Sequence, residues 1–308
     1  MTKRVYGPVP SRRFGLSLGV DLVPPKTCCY DCVYCQVGKT TRLTAKPEDF
    51  YPVEEVLADV KAALESGPRP DVITLAGSGD PSLYRSLGEL IDGLHRLGDV
   101  PVVLLTNGAL LSDPRIAEAA LRADILAPSL DAGDPHTFAK INRPHPSISF
   151  ADMLRGLQAV CEKHTGTVRL EVMLVGGQND SDESIQRIAG QLGPIRADSI
   201  DINTAVRPAP GGKSEPSDQE RLEVAARAFG PTARIVAEYT KAPGPRAPGA
   251  EQRILDILSR RPCTVEDLRA SLGLHQEEVI KILDQAVKSG KVRQREGEGK
   301  TFYFASGS

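Results

Sequence analysis

From about residue 16 to 240, short apolar runs alternate with amphipathic stretches, the pattern of repeated βα units around a parallel sheet. Runs of strand length fall at Leu16–Val23, Asp71–Ala76, Val102–Thr106, Asp124–Asp131, Val168–Val175 and Ser199–Ala205. Helices are predicted between them. Val53–Ser66 puts Val56, Leu57, Val60 and Leu64 on one face, and Phe150–Lys163 does the same with Met153, Leu154, Leu157 and Val160. Asp113-Pro114 predicts another helix start, a capping aspartate followed by proline at the first helical position. Six such units predict an α/β fold built as a partial (β/α)6 barrel. Periodicity alone leaves a doubly wound open sheet as the alternative, and in either architecture ligands gather at the C-terminal ends of the parallel strands.

The strand faces carry a second pattern. On the fourth strand Ile125, Ala127, Ser129 and Asp131 point one way, which projects Ser129 and Asp131 at its C-terminal end. The plain alternative for Asp131 is a cap on the following loop. Arg169, Glu171 and Met173 share one face of the fifth strand, and Asp201 and Asn203 one face of the sixth. Barrel strands are normally apolar on both sides, so charges there must be paired or line a wet cavity. A structural Arg169–Glu171 or Arg169–Asp201 ion pair and a cavity-lining role both remain open. Asp134 to His145 reads as a polar loop containing His136, Lys140, Asn142, Arg143 and His145; Arg207-Pro208 follows the sixth strand, and Arg12 and Arg13 precede the first. Such side chains suit an anionic or phosphate-bearing substrate, or equally a solvated lid. Arg143, Glu171, Asn203 and Arg207 are the substrate candidates.

Beyond the last repeat, Lys241–Ala250 is rich in proline and glycine and has no period, which makes it a linker. Helices are predicted at Glu251–Arg260, Thr264–Ser271 (with a Thr264-x-x-Asp267 cap) and Gln276–Ser289, then a two-stranded wing over Gly290–Phe304 turning around Gly297 to Gly299. The expected organisation is a barrel domain over 1–240, a linker over 241–250 and a small domain over 251–308. The small domain's element order resembles a winged helix-turn-helix. Such domains often bind DNA, yet residues 250–308 hold ten Lys/Arg against nine Asp/Glu, and the third helix opens with Glu277 and Glu278, which would face phosphates unfavourably. Lys291, Arg293, Arg295 and Lys300 make the wing mildly basic. Recruitment of a macromolecular substrate or partner, or self-association, is favoured over gene regulation.

Composition narrows the class without naming it. With 308 residues, 40% hydrophobic and 25% charged, and a net charge of −2, the chain reads as an ordinary soluble protein without strong overall attraction to nucleic acid or membrane. No apolar run reaches membrane-spanning length.

The sharpest signal is a thiol array. Cys28, Cys32 and Cys35 stand in a Cys-x3-Cys-x2-Cys spacing with Tyr34 just before the last cysteine. Thiolates are soft ligands suited to iron–sulfur clusters or zinc, and most such sites take a fourth ligand. Three cysteines on a cluster leave one iron open to a small molecule. Cys29 could complete a zinc site, although adjacent cysteines cannot easily aim both sulfurs at one tetrahedral metal. A disulfide framework is disfavoured, since a chain of this length buries its own core and no signal peptide precedes the array. Cys161 and Cys263 lie singly in helical-looking stretches and read as small buried apolar residues.

This spacing, with its aromatic residue, resembles the cluster motif of the radical S-adenosylmethionine (SAM) superfamily. The resemblance implies a [4Fe–4S] cluster on Cys28, Cys32 and Cys35, SAM chelated at the open iron, and reductive cleavage to methionine and a 5′-deoxyadenosyl radical that abstracts hydrogen. It implies the partial barrel fold as well, and an electron donor such as flavodoxin or ferredoxin. Gly77-Ser78-Gly79-Asp80-Pro81, after the second strand, looks like the family's glycine-rich motif that contacts the SAM amino group, with an ordinary turn as the plain alternative. Thr106-Asn107-Gly108 resembles a recurrent turn of the superfamily. Tyr34, Gly77, Gly79, Asp80, Ser129 and Asp131 are thereby the candidate cofactor-binding residues. Together with Gly7-Pro8-Val9-Pro10-Ser11-Arg12-Arg13, these motifs resemble the wyosine-synthase-like branch, whose members modify guanosine in transfer RNA and carry a second cysteine-ligated cluster upstream. Cys28 is the first cysteine here, so a single cluster is expected. The implied substrate is a modified RNA or a peptide or protein site, and the reducing cytoplasm is the expected compartment. A different class remains beside it, an iron–sulfur redox sensor that binds DNA through the winged domain.

Overall fold

A computed structural model of the chain describes residues 4–11, 13–205, 214–236, 250–272, 274, 276–297 and 300–306. Arg12, Arg207-Pro208 and 241–249 of the expected linker lie outside the described residues.

The chain opens with an antiparallel pair, β1 (Val5–Ser11) and β2 (Gly15–Val20), followed by two short paired strands, β3 (Thr27–Cys28) and β4 (Arg42–Leu43). Helix and strand then alternate as α1 (Val53–Ser66), β5 (Val72–Leu75), α2 (Leu87–Leu97), β6 (Val102–Thr106), α3 (Pro114–Ala120) and β7 (Ile125–Pro128). They continue as α4 (Pro135–Ile141), α5 (Phe150–Lys163), β8 (Thr167–Leu174), α6 (Asp182–Leu192), β9 (Ser199–Thr204), α7 (Gln219–Phe229) and β10 (Ala233–Ile235). The main sheet is eight-stranded and mixed, in the order β1-β2-β5-β6-β7-β8-β9-β10. Only β1 pairs antiparallel; β2 to β10 pair parallel throughout.

Period-2 alternation decides what each sheet face does. Leu18 and Val20 of β2, Ile73 and Leu75 of β5, Leu104 of β6 and Leu170 and Val172 of β8 point to the helices and share one large buried cluster with their apolar stripes. Val56 and Val60 of α1, Leu157 and Val160 of α5, and Ile185 and Ile188 of α6 supply that side. The opposite face is only partly apolar: Phe14, Val72, Val103 and Ala127 form a small cluster, and β8 and β9 put Arg169, Glu171, Asp201 and Asn203 beside it. In register, Ala127, Ser129 and Asp131 of the β7 segment run alongside Arg169, Glu171 and Met173 of β8.

Asp113 accepts from the Arg115 amide at 2.9 Å, capping α3 as expected. The Asp134–His145 segment differs from its expectation as a loop: residues 135–141 are helical, because Asp134 accepts from the Thr137 amide at 2.9 Å and Pro135 takes the first helical position. β1 and β10 extend the sheet beyond the six expected strands.

The C-terminal extension consists of α8 (Ala250–Leu258), α9 (Val265–Leu272), α10 (Gln276–Lys288) and the hairpin β11 (Val292–Gly297) and β12 (Lys300–Ala305). Thr264 and Asp267 exchange bonds between side chain and backbone amide at 3.0 and 3.1 Å, the expected cap of α9. Cys263 pairs with Tyr303 of β12 through both backbone groups, at 2.9 and 2.8 Å. The buried cluster of this extension, with Ile254, Leu258, Leu268, Val279 and Leu283, includes Val9 of β1, so the extension is seated on the sheet's antiparallel edge.

Candidate functional site

The thiol loop leaves β2 and runs across the C-terminal ends of the central strands. Backbone bonds hold it to the α4 end: the Asp31 amide donates to Asn142 and Arg143 carbonyls at 3.1 Å, and the Val33 amide to Ile141 at 2.9 Å. Cys28, Cys32 and Cys35 are half-buried, and Cys29 is fully buried. Two asparagine amides face the sulfurs. Asn107, at the end of β6, has its Nδ2 3.8 Å from Cys28 Sγ and 3.2 Å from Cys29 Sγ; Asn142, at the end of α4, has its Nδ2 3.8 Å from Cys32 Sγ.

Behind the loop sits a buried acid. Asp131 accepts from the Tyr34 hydroxyl, from Asn142 Nδ2 at 2.8 Å and from the Met173 amide at 2.9 Å. It does not cap the loop after β7. Burial pushes its carboxyl up to about 6, against the opposing pull of the Tyr34 hydroxyl bond. Burial likewise raises the Cys32 and Cys35 thiols, and the proximity of Cys28 raises both further. Cys28 shifts down, chiefly through its contact with the Cys29 thiol.

The Gly77–Pro81 segment follows β5 and is held from two sides. Asp80 caps the 3-10 turn Pro81–Leu83; it accepts from the Ser82 amide at 2.9 Å, the Thr106 hydroxyl at 3.1 Å and the Asn107 amide at 2.6 Å. Its carboxylate is therefore engaged by the protein itself, and it orients the Thr106-Asn107 turn that faces the sulfurs. Both flanking glycines are demanded by close approach. A Cβ on Gly79 would lie 1.8 Å from the Thr27 carbonyl oxygen, and one on Gly77 2.3 Å from the Asp21 carboxyl carbon. Gly108, at φ +77°, turns the chain after Asn107.

A cavity of about 840 Å3 opens beside this assembly. Tyr34, Cys35 and Gly77 line one end; Ser17, Thr74, Met173 and Asn203 line the sheet wall; Ile257, Val265 and Tyr303 of the C-terminal extension line the opposite wall. On the sheet side Glu171 lies 2.8 Å from Arg13 and accepts from Asn203 Nδ2 at 2.9 Å. Arg169 pairs with Asp201 at 2.9 Å rather than with Glu171, and Arg234 reaches the same carboxylate at 2.7 Å. Arg143 stands apart: its side chain is 45% exposed, 3.9 Å from Asp31 and away from the cavity. Ser129 is bonded through its backbone amide to Thr106 at 3.0 Å. Arg207 is outside the described residues.

Asp21 carries a role the sequence reading did not give it. It follows β2, is nearly buried, and accepts from the Ser78 amide at 3.1 Å and hydroxyl at 2.6 Å. Its other partner is Arg260 of the C-terminal extension, at 3.0 Å. An acid inside the mostly apolar run Leu16–Val23 was the available signal; its partners were not.

Among the described residues no three His, Cys, Asp or Glu side chains converge on the position of a single metal ion. A cubane cluster asks for a different arrangement, one thiolate on each of three irons. The donor set fits that demand: soft sulfurs close enough to raise one another's pKa would be relieved by a cationic cluster. Asn142 Oδ1 is buried without a hydrogen-bond partner, an acceptor that a ligand's N–H would satisfy.

Fold and site define an α/β protein with a cavity on one face of its mixed sheet and a cysteine loop at one end of that cavity. The radical SAM superfamily matches residues 22–190, and the chain belongs to that superfamily of catalytic proteins. It is 36% identical over 98% of its length to a protein of Brachyspira hyodysenteriae described as GTPase Obg, and spans 45% of that relative's length. It is 33% identical to a UPF0026 protein of Helicobacter pylori, covering 85% of this chain and 86% of the relative. A radical SAM methyltransferase from Sphaerobacter thermophilus shares the fold, with a TM-score of 0.57 and 19% identity over 71% of this chain and 65% of that one. No helix among the described residues is long and apolar enough to cross a membrane.

Proposed function

We propose that the chain is a single-cluster radical SAM enzyme, with Cys28, Cys32 and Cys35 as ligands of a [4Fe–4S] cluster. The observation that carries this is the convergence on the thiol loop of side chains from the ends of separate elements: Asn107 after β6, Asp131 after β7 and Asn142 after α4. Bound there, a [4Fe–4S] cluster supplies the electron that splits SAM into methionine and a 5′-deoxyadenosyl radical, which abstracts hydrogen from the substrate.

The protein's own part is positioning and shielding. Asn107 and Asn142 offer N–H groups toward sulfur, a contact that stabilises negative charge on the thiolates. Asp131 fixes Tyr34, and Asp80 fixes Asn107. We assign Gly77, Gly79, Ser129 and Asp131 to SAM and Glu171 and Asn203 to the substrate, with Gly77 and Asn203 lining the cavity; Arg207 keeps its candidacy from sequence alone. The C-terminal walls exclude water from a hydrogen abstraction that bulk solvent would quench.

We read the sheet as a partial (β/α)6 barrel over 1–240, followed by a 241–250 linker and a winged helix-turn-helix over 251–308. The wyosine-synthase-like branch is supported by motif resemblance, with RNA or a peptide or protein site as substrate, a flavodoxin or ferredoxin as reductant, and the cytoplasm as compartment. The DNA-binding sensor is the weaker reading, since α9 and β12 turn toward the cavity instead of standing free.

The test is anaerobic purification, reconstitution with iron and sulfide, and quantification of 5′-deoxyadenosine after adding SAM and a strong reductant, beside Cys32→Ala. Formation that is lost in the variant is expected. A stable zinc protein that takes up no iron would sink the reading.

A further inference from the structure

We infer that Arg260 is a positioning residue for the Gly77–Pro81 loop, through which the C-terminal extension sets the SAM site from across the cavity. This rests on the reading that the loop carries SAM.

Asp21 is the link. Its Oδ2 accepts from both the Ser78 hydroxyl, at 2.6 Å, and Arg260 Nη1, at 3.0 Å, while Oδ1 accepts from the Ser78 amide at 3.1 Å. The Asp21 side chain is 8% exposed and that of Arg260 15%, so the pair is largely out of water. A carboxylate at such a depth needs a countercharge, and here it comes from a residue 239 positions away in sequence. The guanidinium itself sits over the Tyr6 ring of β1, 4.1 Å from its centroid, on the strand where the extension is seated. Gly77 lets the loop lie directly on Asp21, with no room for a side chain between them.

The arrangement has a direction. Ser78 is oriented by Asp21 through its amide and hydroxyl, and Asp21 is held in place by Arg260. If the extension lifts from β1, Asp21 loses the charged partner that holds it and its side chain turns to solvent. Ser78 then loses the charged acceptor that fixes the loop. An occupant of the cavity meets the sheet wall and the extension's wall together, so it bears on the same contact. The extension thereby belongs to the reaction chamber, and the SAM loop is in its ordered state only while the chamber is closed.

The experiment uses the full-length reconstituted protein and SAM itself as probe. Equilibrium dialysis gives the SAM Kd, deoxyadenosine formation gives KM and kcat, and iron and sulfide per chain report loading. Arg260→Ala is expected to raise Kd and KM for SAM about tenfold, the scale of one lost hydrogen bond to a charged group, with iron content unchanged. Arg260→Lys should recover most of the loss. Asp21→Asn should weaken SAM binding in the same direction, and the double variant should be no worse than Arg260→Ala, because both changes break one link. Unchanged SAM binding in a cluster-loaded Arg260→Ala protein, or effects that multiply in the double variant, would overturn the role of Arg260. Should Arg260→Ala fail to fold, Asp21→Asn and Arg260→Lys decide by the same Kd. A wild-type protein that binds no SAM would overturn the underlying reading together with this one.

Discussion

Replacing Gly79 by alanine adds one methyl group where the structure has no room for it. The new Cβ would stand 1.8 Å from the Thr27 carbonyl oxygen and 2.8 Å from a methyl of Val23. The Val23 methyl can rotate away. The carbonyl cannot: Thr27 is in β3, paired with Arg42 of β4, and its neighbour is Cys28. Either the glycine loop or β3 must therefore yield by roughly 1 Å, and overpacking of this kind costs about 1–3 kcal/mol. On a domain of this size that is a fall in Tm of roughly 2–10 °C. The displacement falls on Cys28 and on Asp80, so iron bound per chain after reconstitution should drop together with Tm. Gly190→Ala is the matched control, since its Cβ in α6 meets nothing within 4 Å. There the same methyl should stabilise by about 0.5–1 kcal/mol through helix propensity. Scanning calorimetry of the apo-proteins and iron analysis of the reconstituted ones decide the matter. A Gly79→Ala protein with wild-type Tm and full iron would refute the steric argument.

Two further outcomes concern buried charge and buried sulfur. Asp201→Asn should destabilise by about 3–5 kcal/mol, because it strips the carboxylate from the mostly buried Arg169, whereas Arg234→Gln, at a side chain 53% exposed, should cost under about 1 kcal/mol; equal effects in urea melts would contradict the assignment. Alkylation of the native apo-protein at pH 8 should modify Cys28, whose thiol shifts down, ahead of Cys32 and Cys35, which burial raises, with reconstitution protecting all three, while the fully buried Cys161, whose thiol burial pushes up to about 12, reacts only on unfolding. Mass mapping that finds Cys161 labelled in folded protein would count against the buried placement.

What could be read from the chain, and what could not, follows from the range of the interactions involved. β6 and the helices Val53–Ser66 and Phe150–Lys163 lie where the apolar periods put them, because a strand or helix buried on a single core repeats its pattern within itself. The same period-2 logic put Arg169 and Glu171 on one face of their strand and Asp201 and Asn203 on one face of the next, although which acid each arginine meets depended on strand register and not on spacing. α4 went unread because its His and Lys residues looked like loop, even though Asp134-Pro135 is the start signal that was legible at Asp113-Pro114. β1 is broken by Gly7, Pro8 and Pro10, which an edge strand tolerates because it pairs on one side only. The C-terminal elements were equally local and equally legible. Their attachment was not, since Asp21 finds Ser78 57 positions along the chain and Arg260 239 positions along. Net charge over 250–308 argued about DNA as though the extension stood alone. With Val9 in its core, Arg260 on Tyr6, and Val265 and Tyr303 on the cavity wall, the extension is packed against the rest of the chain, while Arg293 and Arg295 of β11 stay exposed, a division that net charge over 250–308 does not report.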